Sequence, residues 1–389
     1  MDKNSKIAFV MPWHISERGG GAEVQANYLS IELARRGFQV SYVCQTINKN
    51  KINTVEPIEG VTIYWLKASG RFPIKDQNKY VQPLKEIQPD FIVQRLSSNV
   101  TYVLGNYCSK NKCKFIWMCT DNKNPFFGFY TSQFKKRYTT KSLGVLKYFI
   151  FLVNNKLMDF YRNKGMSKID IAFSQNDFQK HHLKRNFNLE SQKMISGHPK
   201  PERGITTQQR FENKTILWCA NFGPHKRPEL FIDLANQMLH TPFKFLMVGG
   251  HSNGSYVKNL LKDKPANLSI TGHLPFDEAL SYFDMASVFV STSVSEGFSN
   301  TYIQSWLRSV PVLVFGADPD SIIKNNELGF DVESVNDAVK NIETLLNDFD
   351  SYKMIAQNSF NYGNENHSIK KMTDNFLSVV DNEHRPHVN

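Results

Sequence analysis

SEGFSNTYIQSWLRSVPVL, residues 295–313, runs from a polar loop through a helix into an apolar strand with almost no connecting chain. Ile303, Trp306, Leu307 and Val310 recur at i, i+3, i+4 and i+7, one core-facing stripe. The helix is expected over residues 300–308, with Ser299 or Asn300 as its N-cap, and Pro311 stops it before a strand over 310–315. Residues 288–291, VFVS, are a strand just upstream. Strand, loop, helix and strand in that order make a parallel α/β unit. Its loop lies at the carboxyl end of the first strand, where open sheets bind ligands. The first N–H groups of the helix have no intrahelical partner and carry the positive end of its dipole, so phosphate is the natural occupant. Gly297 would let that phosphate come close to the backbone. Glu296 cannot favour a phosphate. It reads equally well as an acceptor for hydroxyl groups elsewhere on the ligand, which would make the ligand a sugar nucleotide, or as a solvated loop charge beside an ordinary turn glycine.

The same alternation of short apolar runs and amphipathic segments extends along the chain and predicts an α/β protein with parallel sheets. A first series of strands is expected at residues 6–11, 39–44, 61–66, 91–94, 115–119 and 169–173, and a second at 216–220, 245–248, 268–271, 288–291 and 310–315. Between them SGHPKPERGITTQQR, residues 196–210, is polar and holds two prolines, which marks a linker. The expected organisation is a domain over 1-196, a linker over 197-210, a second domain over 211-364, and a closing helical segment over 365-385. Two domains also suit a chain of 389 residues.

The formal charge of +11 points to a polyanionic partner: nucleic acid, an anionic membrane surface or a phosphate-bearing ligand. No nucleic-acid-binding module is recognisable, so nucleic acid rests on charge alone. The N-terminus shows no signal-peptide pattern, and nowhere do 18 apolar residues run together. Cys44, Cys108, Cys113, Cys119 and Cys219 are an odd, scattered set with no C-x-x-C pair, so neither a disulfide framework nor a zinc knuckle is indicated and a reducing cytoplasm is expected.

Two further loops carry binding chemistry. ERGGGAEVQ, residues 17–25, opens another helix N-terminus, with Gly20 and Gly21 at its mouth. It is neither the dinucleotide fingerprint, because Val24 stands at the third glycine position, nor a Walker loop, because no Gly-Lys-Ser/Thr follows. A flexible turn is the plain alternative. In WCANFGPHKRPEL, residues 218–230, Lys226 and Arg227 could neutralise a diphosphate, although a solvated basic loop is the commoner case. No H-E-x-x-H occurs, and Asp318-Pro319-Asp320 reads as a turn, so no metal site is expected. Residues 135–164 carry eight basic residues against Asp159 alone. Within them Leu146, Phe149, Ile150, Val153, Leu157 and Phe160 form a helical apolar stripe. Tyr148, Phe151 and Leu152 make its middle hydrophobic nearly all round, which favours burial in the protein. A membrane-surface helix is the other reading.

Taken together, the glycine loop at 19–23, KRPEL, Val248-Gly249-Gly250, Thr271-Gly272-His273 and residues 295–313 resemble glycosyltransferase family 4, the retaining group 1 enzymes. The resemblance implies a GT-B fold: two Rossmann-like parallel-sheet domains facing each other across a cleft, with the last helix crossing back onto the first domain. It implies that Glu296 contacts the donor sugar, that backbone around Phe298, Ser299, Asn300 and Thr301 holds phosphate, and that Lys226 takes the diphosphate. Asp121 falls at an acceptor-side position. Two positions depart from the family pattern: Gln304 stands where the second signature glutamate binds the ribose, and Asn221 where an arginine is usual. The implied activity is metal-independent transfer from a UDP- or GDP-sugar, with retained configuration, to a glycan or lipid-linked acceptor in bacterial surface-polysaccharide synthesis. The site would be cytoplasmic, with the protein peripheral on the inner membrane face. The changes at Gln304 and Asn221 motivate the alternative, an inactive GT-B binding or scaffold protein.

Overall fold

The computed structural model describes the chain apart from residues 1, 71–72, 202–204, 251–259, 261, 263 and 385–389. Residues 202–204 of the expected linker and the last residue of the 365-385 segment therefore lie outside the described residues. The chain divides into two units. One is Met1–Ser196 with Ile369–Asn389, the other Gly197–Ser368.

In the first unit eight strands form one sheet: β1 (Lys6–Trp13), β2 (Gln39–Thr46), β3 (Val55–Ile58), β4 (Val61–Lys67), β5 (Phe91–Arg95), β6 (Lys114–Met118), β7 (Ile171–Ser174) and β8 (Gln192–Lys193). Their order is β3-β4-β2-β1-β5-β6-β7-β8. Every pairing is parallel except β3 with β4. Because parallel strands are covered on both faces, their apolar runs are continuous rather than alternating; in β5 all five residues of FIVQR are buried. The helix Ile369–His384 contributes Met372, Phe376 and Val380, spaced i, i+4, i+8, to the same core as Phe9, Tyr42 and Phe173. Arg36 pairs with its Asp374 at 2.6 Å.

The second unit holds six parallel strands: β9 (Thr215–Cys219), β10 (Lys244–Val248), β11 (Leu268–Ile270), β12 (Val288–Ser291), β13 (Val312–Val314) and β14 (Gly329–Asp331). They are ordered β11-β10-β9-β12-β13-β14. Chain order reverses between β9 and β12, so the connections from these two neighbours leave in opposite directions and open a crevice at their carboxyl ends.

Three strands were not expected from sequence. β3 is a half-exposed edge containing Pro57, β8 has two residues, and β14 begins at Gly329 with φ 144°. Each lacks the apolar run by which strands are recognised. The helix after β12 spans Asn300–Trp306. Val310 N–H donates back to Ser305 O at 3.0 Å and Ser309 takes φ 58°, so Val310 and Pro311 belong to the turn and not to β13.

The helix Val145–Met166 corrects the expectation of burial. Its stripe of Leu146, Phe149, Ile150, Val153, Leu157 and Phe160 is exposed. What it buries is polar or small: Asp159, Arg162 and Gly165, with Met158 and Met166. Asp159 accepts from the N–H groups of Tyr130 (2.8 Å) and Thr131 (2.9 Å). Arg162 donates to Ser97 Oγ (2.7 Å), to Phe126 O (3.1 Å) and to Asn124 O. Gly165 lies against the backbone of Thr101 and Tyr102, where a Cβ would not fit. Apolar periodicity identifies a stripe but not its direction, and here a hydrogen-bonded polar face holds the helix to the unit.

Candidate functional site

The crevice of the second unit is closed below by two loops joined side chain to backbone. Trp218, in β9, donates its indole N–H to Thr292 Oγ1 at 2.9 Å. Thr292, the first residue after β12, donates its hydroxyl to Lys226 O at 2.5 Å. Val294 N–H donates to His225 O at 2.9 Å. Arg227 completes the joint, its guanidinium donating to the carbonyls of Thr292 (2.7 Å), Ser293 (3.0 Å) and Phe315 (2.8 Å). It takes the left-handed conformation, φ 44°, immediately before Pro228 opens the helix Pro228–Gln237. Three charge-assisted hydrogen bonds tie the loop after β9 to the segments that follow β12 and β13. Arg227, one of the two cations that could neutralise a diphosphate, thus braces the loop that carries Lys226.

Above this brace Lys226 Nζ and Glu296 Oε1 meet at 2.5 Å, with 29% and 13% of their side chains exposed. The structure therefore brings together two residues 70 positions apart, one cation and one acceptor, at the topological switch point of a parallel sheet. Partial enclosure strengthens their interaction over that of a surface pair without removing access.

The neighbouring segment is built by packing. Gly297 is buried. The Phe298 ring lies 4.9 Å from the His367 ring and 6.1 Å from that of Trp306. Ser299 is the N-cap of Asn300–Trp306, and its hydroxyl bonds that of Thr301 at 2.8 Å instead of a backbone N–H. Asn300 hydrogen-bonds the buried His198, whose pKa burial pushes down to about 3. Gln304 is buried on the helix, while Asn221 is exposed in the loop after β9. Gly249 takes φ 109°, and a Cβ there would strike the carbonyl of Ala220, so only glycine lets β10 leave the sheet beside β9.

The first unit has its own switch point, between β1 and β5, with the glycine loop above it. Gly20 is the N-cap and Gly21 the first residue of the helix Gly21–Arg35. The carboxylate of Glu23 folds back over Gly20. Burial raises its pKa, while its own backbone N–H, Arg95 and Arg18 oppose the shift. Arg95, at the end of β5, is fully buried, and its pKa falls to about 10 through burial. This helix N-terminus therefore meets a carboxylate of its own chain. Asp121 also belongs to the first unit. It forms a tight turn after β6, accepting from Lys123 N–H at 2.7 Å.

Asp318 likewise accepts from the N–H groups of Ile323 (2.9 Å) and Lys324 (3.1 Å). Among the described residues no group of three or more His, Cys, Asp or Glu side chains is placed to hold a metal ion. Sequence reasoning missed Thr292, Trp218, His198 and Arg95. Arg95 had a visible signal, a charged residue closing an apolar strand; His198 had none, since its partners are remote in sequence.

Residues 213–348 match the family model described as glycosyl transferases group 1. No curated protein matches the chain. Among solved structures, sucrose-phosphate synthase from Thermosynechococcus elongatus is 14% identical with a TM-score of 0.74, over 97% of this chain and 99% of that one. The Anabaena protein HepE in complex with UDP-glucose is 13% identical with a TM-score of 0.68, again over 97% and 99%. The catalytic domain of starch synthase IV from Arabidopsis thaliana, bound to ADP and acarbose, is 10% identical with a TM-score of 0.66, over 97% and 100%. The chain has the GT-B fold, two parallel-sheet α/β domains, and carries a group 1 glycosyltransferase domain within it.

Proposed function

We propose that the chain is a retaining glycosyltransferase of family 4. It transfers a sugar from a nucleoside-diphosphate sugar to a glycan or lipid-linked acceptor in the synthesis of cell-surface polysaccharide. The observation that carries this is the contact of Lys226 with Glu296 at the switch point of the group 1 domain. Diphosphate departure needs positive charge where negative charge develops, and Lys226 on its Arg227 brace supplies it from a fixed position, without a required metal. Glu296 supplies an acceptor for donor hydroxyls. In the free protein the two satisfy each other. Donor binding then exchanges one ion pair for two interactions, lysine to diphosphate and carboxylate to sugar hydroxyl, and neither charge is left unpaired. Gln304 would take the ribose as a neutral acceptor. UDP-, ADP- and GDP-sugars are the donors to try, the first two because solved structures of this fold hold UDP-glucose and ADP.

The test is nucleotide release from such donors with a glycan acceptor present. Wild type should turn over one donor class, and Lys226→Ala and Glu296→Gln should each lose about 10²–10³-fold in kcat. Nucleotide binding without any turnover would replace the transferase with an inactive GT-B binding protein.

A further inference from the structure

The helix Val145–Met166 presents to solvent the face that an ordinary amphipathic helix buries. Val145, Leu146, Phe149, Ile150, Val153, Leu157 and Phe160 are between 46% and 75% exposed. At 100° per residue these seven positions fall within one arc of about 140°, opposite the buried face of Met158, Arg162 and Gly165. From Val145 to Phe160 the stripe is about 22 Å long at 1.5 Å per residue. A contiguous apolar surface of this kind is rare on a chain that stays alone in water.

Its surroundings identify the occupant. Lys135, Lys136, Arg137, Lys141, Lys147, Lys156 and Lys164 are all exposed on this helix and the segment leading into it. The one acid between residues 129 and 168, Asp159, is turned inward and committed to Tyr130 and Thr131. On the same wheel Lys156 falls within the apolar arc and Lys164 follows it at the helix end. A stripe with cations in and before it and no exposed acid between residues 129 and 168 is complementary to a surface that is apolar beneath and anionic on top. A protein groove would need its own acids to match so many cations, and two copies of this face would set like charges against each other. No helix among the described residues is long and apolar enough to cross a membrane, so the fitting mode is one that lies in the interface.

We propose that Val145–Met166 is a membrane-docking helix. It would lie along an anionic lipid bilayer, with Leu146, Phe149, Ile150, Val153, Leu157 and Phe160 inserted at the acyl boundary and the flanking lysines and Arg137 against the headgroups. Docking is independent of the donor site: it needs neither nucleotide nor turnover, and either assignment can fail while the other stands.

The test is flotation of the full chain with vesicles of phosphatidylcholine alone or mixed with phosphatidylglycerol. Wild type should float with the anionic vesicles, less at high salt, and weakly with the neutral ones. Each cation near the surface contributes about fivefold in partition, so Lys135→Ala/Lys136→Ala/Arg137→Ala should lose about 100-fold. Phe149→Ser/Val153→Ser should lose at least about tenfold, with nucleotide binding and melting temperature unchanged because both positions are exposed. Failure of wild type to float with anionic vesicles would overturn the proposal, as would flotation unaffected by both variants. Concentration-dependent dimers abolished by Phe149→Ser/Val153→Ser, with no vesicle binding, would assign the face to a second copy instead.

Discussion

The two sheets present the same device twice, and the chain fills it differently each time. In the first unit the crevice between β1 and β5 lies under a glycine loop, and Glu23, with the fully buried Arg95 below, occupies the helix mouth. In the second unit the crevice between β9 and β12 holds Lys226 against Glu296, both partly open to solvent, on a brace made by Arg227. Topology fixes where a ligand can sit, and it does so equally in both halves. The sign and accessibility of the charges decide what sits there. A carboxylate over a helix N-terminus uses up the place that would attract phosphate, whereas a lysine held by a replaceable partner keeps it available.

The comparison breaks most readily at its glycines. Gly249→Ala adds a Cβ against the Ala220 carbonyl at φ 109° and should destabilise the second unit by about 3 kcal/mol or more, read by chemical denaturation. Gly20→Ala meets only the flexible end of Glu23 and should cost less than about 1 kcal/mol. Equal costs would show that the Ala220 carbonyl is not the obstacle that sets Gly249 apart from Gly20.

A second contrast is in pH. His198 stays neutral in the folded second unit because burial lowers its pKa from 6.5 to about 3, against a hydrogen bond with Asn300 that raises it; His367 and Arg308 add to the lowering. The unfolded chain takes up the proton first. The contribution is therefore intact above pH 6.5 and is lost progressively as pH falls towards 3, by several kcal/mol in all. His198→Gln should flatten that slope in acid titrations of stability. An unchanged slope would show that His198 is not the group that charges.

The smallest effect is expected at Gln304. Gln304→Glu offers a stronger acceptor but charges a position only 4% exposed, where desolvation opposes the gain. Donor affinity should move by no more than about fivefold in either direction, measured by calorimetry. A change of about 100-fold would mean that this residue, and not the Lys226–Glu296 contact, dominates the site.

Much of this was legible in sequence. Continuous apolar runs between amphipathic segments gave both parallel sheets, because buried parallel strands need no alternation. Glu296 and Lys226 were visible through their places beside strand ends. The braces were not. Arg227 binds three carbonyls, two of them 65 and 66 positions away, and nothing local distinguishes that from a solvated guanidinium. The direction of the stripe on Val145–Met166 was hidden for a related reason. The polar partners that pin its inner face, Ser97, Asn124 and Tyr130, lie outside any helical window. β3 and β14 escaped because a proline and a glycine mask short edge strands.

In the proposed donor site Lys226 holds the diphosphate of a nucleotide donor in the second unit. Thermal unfolding of wild type and Lys226→Ala with UDP, GDP and ADP tests it most directly. A nucleotide at 100 times its Kd should stabilise wild type by about 2.7 kcal/mol. One nucleotide class should produce that shift in wild type and most of it should vanish in Lys226→Ala. Equal shifts in both proteins, or none in wild type with any nucleotide, would contradict the assignment of the crevice between β9 and β12 as the donor site.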